Sequence, residues 1–399
     1  MKKRTVKALW FAFIATILLY SANPANVFAA EPIGAEVAQP TGATQLVTTS
    51  DGLNQVSFQM TGTPVFASNA PETIWDGPRS FDGVVMNQVN KTLYRDYMTG
   101  NFRFWSVHVN QTGKNVNFYM HVYNTSADSV KLYIKRSGYG VGGAAAASSE
   151  STNEFMSQTG SGGTLVTTIP TGGFYTYPYS TTVAHGQTMS YIADFRVVNV
   201  RTGADERVSI SDVVTNDGTA NINTYATSTN IAKTNYLYKD SADDYRGVLA
   251  HSGRTVDVRV NLSSSNKKFM KIADSEPTAY PGEQERLKSR FDVYGVAFSG
   301  GPKDVVFNSK YRGAYWVIDY TYNINITKPA GFSVVSTYYG QAPGMTHAGF
   351  INYKISALTQ YHYNNSKVRV INNNTNYTLQ TMVQPSLSLP LALYFIATN

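Results

Sequence analysis

Apolar and polar residues alternate almost without error in NFYMHVYNTSADSVKLYIKR, Asn117 to Arg136. Phe118, Met120 and Val122 share one face of an extended chain, and Asn117, Tyr119, His121 and Tyr123 share the other. After NTSAD, Val130, Leu132 and Ile134 point inward while Lys131, Tyr133 and Lys135 point outward. The upstream run NFRFWSVHV continues the pattern through NQTGKN. Joined as hairpins, the three runs set Val122, Met120 and Phe118 opposite Val130, Leu132 and Ile134, and Val109, Val107 and Trp105 opposite Val116, Phe118 and Met120. The pattern therefore predicts an antiparallel meander with one buried face and a cross-strand row of Trp105, Met120 and Leu132. In that register His108 and His121 face solvent about 13 Å apart, at 3.3 Å per residue, too far to share a metal ion.

The rest of the chain has the same style. TMSYIADFRVVNV, TVDVRVNL, AYWVIDYTYNINI, FSVVSTYYG, GFINYKI and SKVRVI are short runs rich in Val, Ile, Tyr and Phe, separated by Gly, Asn, Pro and Ser. One stretch stands apart. AAAASSESTNEFM, Ala144–Met156, between GYGVGG and GSGG, is either a short helix or a mobile insert. Asn216 to Asn235 is polar and weakly periodic, so it marks a linker over 216–235. The expected fold is all-β, two antiparallel β-sandwich domains in tandem over 45–215 and 236–399, with residues 31–44 as a flexible lead. The apolar tail LSLPLALYFIATN is too short for a membrane span and fits a last core strand.

The first thirty residues change the charge picture. MKKRTVK is basic, Ala8–Tyr20 is apolar, and Val27 and Ala29 offer small residues for cleavage, so residues 1–30 match a secretory signal peptide. Its removal takes four of the 33 basic residues and leaves 29 against 26 acidic ones. That balance gives no footprint for nucleic acid and leaves no stable transmembrane anchor. The chain has no cysteine, which excludes disulfides, thiolate chemistry and a lipoprotein anchor, and no LPxTG-like sorting signal occurs.

NFYMHVYNTSADSVKLYIKRSGYGVGG, YRGVLAHSGRTVDVRVNL, YPG at Tyr280–Gly282 and SKYRGAYWVIDYTYNI resemble secreted proteins of spore-forming Gram-positive bacteria labelled copper amine oxidase domain proteins. The resemblance covers most of the mature chain, apart from the small stalk domain that gives those proteins their label. It implies an extracellular β-sandwich protein without an established activity. The residues do not support amine oxidation. Such oxidases need Thr-x-x-Asn-Tyr-Asp/Glu-Tyr and His-x-His, whereas AKTNYLY places Ala232 and Leu237 at the Thr and acid positions, and none of the six histidines forms His-x-His.

Other chemistry is equally sparse. Gly-x-Ser-x-Gly, His-Glu-x-x-His and a phosphate-binding glycine loop are missing from the sequence. Carboxylates for a glycosidase pair would have to come from Glu72, Asp76, Asp194, Asp319, Asp240, Asp243 and Asp244. Asp319 is expected in a strand-edge salt bridge. Asp240, Asp243 and Asp244 lack an EF-hand spacing and fit a solvated turn better than a calcium site. No catalytic residue, cofactor or metal is expected. Tyrosine is the outstanding residue, 28 in all, and GGFYTYPYS puts Tyr175, Tyr177 and Tyr179 on one side of an extended segment as a candidate binding surface. The chain is therefore expected to be a secreted or envelope-associated, non-catalytic β-sandwich protein whose partner is a cell-wall glycan or another envelope protein. A carbohydrate-binding or glycan-active protein is the alternative. A β-pore-forming toxin that rearranges GTLVTTIPTGGFY is a further one.

Overall fold

The computed structural model describes residues 32–46, 54–233, 246–263, 266–272, 280, 285, 287–291, 296–304, 316–343, 349–355, 358–364, 367–384 and 391–398. The signal segment 1–30 and Asp240, Asp243 and Asp244 lie outside them. The fold is all-β and sandwich-like, with two helices among the described residues, α1 (Ala144–Ser157) and α2 (Ile222–Thr227).

Two sheets form the first sandwich. Sheet I runs in the order Thr164–Ile169, Val130–Gly142, Thr188–Asn199, Asn101–Asn110, Val65–Ser68, Arg246–Leu249, Lys288–Ser289 and Lys303–Asp304. Sheet II has the order Phe174–Pro178, Asn117–Tyr123, Arg207–Thr215 and Lys91–Thr99. Phe118, Met120 and Val122 from sheet II meet Phe102, Phe104, Leu132, Phe195 and Val197 from sheet I in one buried core. The faces expected for Phe118–Val122 and Val130–Ile134 are the observed ones.

The strands are nevertheless not a meander. Asn117–Tyr123 pairs with Phe174–Pro178 and Arg207–Thr215, while both of its chain neighbours belong to sheet I. The two expected hairpin turns are arches that carry the chain from one sheet to the other, and each is bracketed by a buried asparagine. Asn110 Nδ2 donates to Lys114 O and Val183 O, and its Oδ1 accepts from Thr112 N and Oγ1. Asn124 repeats the device, donating to Asp128 O and Ile169 O and accepting from Ser126 N and Oγ. These bonds tie each arch to a carbonyl distant in sequence, Val183 O and Ile169 O, and Val116 N also donates to the former.

The expected Trp105–Met120–Leu132 row is also corrected. Trp105 and Val107 point away from Met120, and Trp105 packs edge-on to Trp316 at 6.2 Å. Phe102, Phe104, Ser106 and His108 are the residues that face sheet II. Strand Asn101–Asn110 is buried on both faces, so alternation cannot identify its inner side.

Sheets III and IV build the second sandwich. Sheet III orders Leu358–Asn364, Gly349–Ile355, Asn376–Met382, Asp319–Thr327, Gly253–Asn261 and Gln55–Thr61. Sheet IV orders Glu36–Ala38, Lys367–Asn372, Val334–Gln341, Leu391–Thr398, Lys267–Ile272 and Thr44–Gln45. Val256, Val258, Ile324, Leu393 and Phe395 share a core that continues to Trp105, Val107 and Ile192 on the far face of sheet I. Leu391–Thr398 is the core strand expected of the tail.

The sheets do not divide along 45–215 and 236–399. Gln55–Thr61 pairs with Gly253–Asn261, and Val65–Ser68 pairs with Arg246–Leu249. Glu36–Ala38 and Thr44–Gln45, in the expected lead, are edge strands of sheet IV. Nor is every pair antiparallel, since Gly253–Asn261 runs parallel to Asp319–Thr327 over nine residue pairs. Alternation fixes which face a strand buries but carries no information about which strand lies beside it.

The alanine-rich stretch is helical and docked. Bare backbone at Gly138 and Gly140 lets α1 lie directly on strand Val130–Gly142, where a Cβ would come within 1.9 Å of Ser151 O and 2.1 Å of Ala147 O. The glycines expected to give mobility provide close approach instead. α2 rises from the expected linker 216–235 and covers the outer face of sheet II, where Ile222 and Ala226 pack on Tyr119 and Val213.

Candidate functional site

Lys91–Thr99 is the edge strand of sheet II. A β-bulge between Thr92 and Tyr94 resets its alternation, so that Asp96 turns inward and Tyr97 outward. Beside it, Arg246–Leu249 and Lys288–Ser289 of sheet I diverge from the edge and open a cleft of about 610 Å³, within the usual range for ligand pockets. Tyr97 and Asp96 form one wall, Val248, Glu285, Lys288 and Arg290 the other, and Pro64 and Pro302 add apolar surface.

Lys288 and Arg290 are the cations that line the cleft, and Arg207 adds a third beside the Tyr97 ring. Tyr97 is 39% exposed, with the Arg207 guanidinium 4.0 Å and the Arg290 guanidinium 4.9 Å from its ring centroid. Arg290 Nε donates to Asp96 Oδ1 at 2.6 Å. Asp96 Oδ1 also accepts from Tyr97 N, and its Oδ2 accepts from Tyr94 OH. Glu285 is held in the same way. Its Oε1 accepts from Ala250 N and faces His251 Nδ1, and its Oε2 accepts from the buried Arg254. All four oxygens of the two carboxylates are thus engaged, which favours fixed geometry over proton transfer.

The residues singled out by sequence lie elsewhere. Tyr175 and Tyr177 pair with Val122 and Met120 and pack against the core, and Tyr179 is buried, 4.8 Å from Tyr191 in a stack. The stripe faces the core, with Tyr179 buried and Tyr175 and Tyr177 half-buried against it, because Phe174–Pro178 turns its odd positions toward sheet I. GTLVTTIPTGGFY supplies strands to two different sheets.

His121 does lie on the outer face of sheet II, yet it is 1% exposed because α2 covers it. Its Nε2 is 3.1 Å from Asn223 Oδ1 and its ring stacks on Phe174 at 5.1 Å. Burial, aided by the nearby Arg95 charge and opposed by the Asn223 bond, lowers its pKa to about 4. His108 is likewise buried. Its Nδ1 donates to Pro71 O at 2.7 Å and its Nε2 faces Asp212 Oδ2 at 3.3 Å. Ser106 Oγ donates to the same Asp212 oxygen, and Tyr179 OH donates to the other. Ser, His and Asp meet here with the carboxylate in the middle and no route from solvent, so the group is a buried polar tie between the sheets.

The expected ion pair of Asp319 is observed within a larger network. The buried Arg103 pairs with Asp194 at 2.8 Å and with Asp319 at 2.7 Å, and Arg136 pairs with both carboxylates. Burial opposes ionisation of Asp194, but Arg103 and Arg136 outweigh it and hold its carboxyl below the usual range. Arg103 also donates to Val317 O at 2.6 Å, and the ring of Phe155 in α1 lies under both guanidiniums. Val317 has φ 57°, a left-handed conformation rare for a β-branched residue, and the Arg103 bond holds its carbonyl in place. Asp76 pairs with the exposed Lys114. Among the described residues no group of three or more His, Asp or Glu could hold a metal ion.

No family model matches the chain, and no curated protein does. Solved structures give low-scoring matches. Lactobacillus farciminis oxalate decarboxylase in its formate complex is 9% identical over 72% of this chain and 77% of that one, with a TM-score of 0.12. Bacillus subtilis oxalate decarboxylase at pH 4.6 is 8% identical over 86% and 77%, with a TM-score of 0.11. Momordica charantia 7S globulin is 7% identical over 75% and 79%, with a TM-score of 0.11. Likeness at this level carries no argument about fold or activity.

Proposed function

We propose that this is a secreted or cell-envelope-associated β-sandwich protein without catalytic activity, which works by binding a wall glycan or an envelope protein in the cleft at Tyr97. The observation that carries the reading is an exposed tyrosine with two arginines within 5 Å of its ring centroid, in a cleft whose two carboxylates already have every oxygen bonded. Such a surface favours recognition over proton transfer, because its polar groups are held in one geometry before a ligand arrives. In the Tyr175–Tyr179 stripe Tyr179 is buried and Tyr175 and Tyr177 are half-buried against the core.

The test is retention on purified Gram-positive cell walls. Tyr97→Ser, whose ring is exposed, should keep the wild-type melting temperature and lose retention, whereas retention equal to wild type would remove the cleft from the reading. Mass analysis of protein recovered from the medium should find an N-terminus at Ala30 or Glu31. A chain still beginning near Met1 in the membrane fraction would refute secretion.

A further inference from the structure

Among the described residues, the Arg207 side chain has Tyr97 as its neighbour and no carboxylate. Arg290 spends its Nε on Asp96, and its two terminal nitrogens make no hydrogen bond to described residues. Both guanidiniums lie within 5 Å of the same ring centroid, hence no more than about 9 Å from each other. Like charges this close repel, and the carboxylate nearest them, Asp96, is already shared with Tyr94 and the Tyr97 backbone. An oxyanion seated beside Tyr97 would be attracted by both guanidiniums.

The walls narrow the class further. Pro64 and Pro302 carry no N–H, and their ring carbons suit the C–H faces of a sugar. We propose that the cleft takes an anionic sugar unit, with its phosphate or carboxylate on Arg207 and Arg290 and its ring against Pro64 and Pro302. This assignment rests on the cleft being the binding site. The shared chemistry is an oxyanion carried on a polyol or sugar.

The test measures binding of the purified full-length secreted protein to poly(glycerol phosphate), polygalacturonate, neutral dextran and poly-glutamate at low and high salt. The phosphate polymer, the uronate or both should bind, dextran should not, and salt should weaken binding by screening the arginines. Arg207 is exposed, so Arg207→Gln should fold normally and weaken binding about tenfold or more, the loss of one charge-assisted contact. Preference between the first two polymers identifies the oxyanion. Unchanged binding by Arg207→Gln, equal binding of dextran, binding of poly-glutamate alone, or no binding to any polymer would each overturn the proposal. If Tyr97→Ser loses wall retention while Arg207→Gln keeps it, the anion assignment fails and the cleft reading stands. If neither variant changes retention, the cleft reading itself fails.

Discussion

His121 should make the folded state sensitive to mild acid. In the unfolded chain its imidazole titrates near 6.5, and under α2 it titrates at about 4. Between those values the unfolded chain binds a proton that the native protein refuses, so stability falls as pH falls. It is fully present above pH 6.5 and is lost progressively down to pH 4. At about 1.4 kcal/mol per pKa unit, the shift amounts to about 3 kcal/mol. The side chain is 1% exposed, so solvent screening removes little of this. Urea unfolding from pH 8 to pH 4 measures it, with His121→Gln as the non-titrating control. Every other ionisable group is common to both proteins, so its contribution cancels in the difference. Wild type should lose about 3 kcal/mol more than His121→Gln over this range. Parallel curves would refute the burial argument, whatever the absolute stability of the variant.

Arg103→Met should destabilise by about 3–5 kcal/mol in urea, because it leaves buried carbonyls and two carboxylates short of a partner. Arg201→Met, which breaks an exposed pair with Asp128, should stay within about 1 kcal/mol of wild type. Asn124→Ala removes the bracket of one arch and should lower stability by about 2 kcal/mol, read as a drop in thermal midpoint. Replacing Tyr175, Tyr177 and Tyr179 together with Ser should abolish the cooperative thermal transition, and a normal melt would return the stripe to the surface.

Much of the first sandwich could be read from alternation. Phe118, Met120 and Val122 bury the expected face because a one-residue shift would send all three to the other side. Which strand lies beside which could not be read. NTSAD has the length and composition of a hairpin loop, and only the partners of Asn124, far away at Ile169 and Pro170, make it an arch. Strand Asn101–Asn110 defeated the face assignment because both of its sides are covered. His121 lies on the face that alternation assigns to it but is buried there, since the covering helix comes from a polar segment about a hundred residues later. The candidate cleft was harder still to see. Its walls come from Pro64, Tyr97, Glu285 and Pro302, and the one local signal was Asp96, a carboxylate in step with the inward Tyr94 and Met98.

The position of the cleft follows from how the sheet edge is closed. An edge strand presents unpaired backbone groups, which proteins cover or distort. On Lys91–Thr99 the covering is local. Ala232 N donates to Thr92 O at 2.8 Å, and the buried Arg246 guanidinium donates to Leu93 O and Ala232 O, both at 2.9 Å. One side chain thus ties the end of the α2 segment and the start of Arg246–Leu249 to the edge. Beyond Leu93 the bulge turns the strand, and Arg246–Leu249 follows its own partner, Val65–Ser68, away from it. Tyr94 is buried and Arg95 extends the closure by donating to Ser228 O at 2.8 Å, and Asp96 and Tyr97 are the next residues along the strand. With no described strand on its open side, Asp96 is satisfied by Arg290 from across the gap, and Arg290 in turn lies over Tyr97. The same need to satisfy a buried carboxylate at the sheet edge therefore places a cation and an exposed aromatic ring together, and the proposed binding surface is the part of the edge that the described residues leave uncovered.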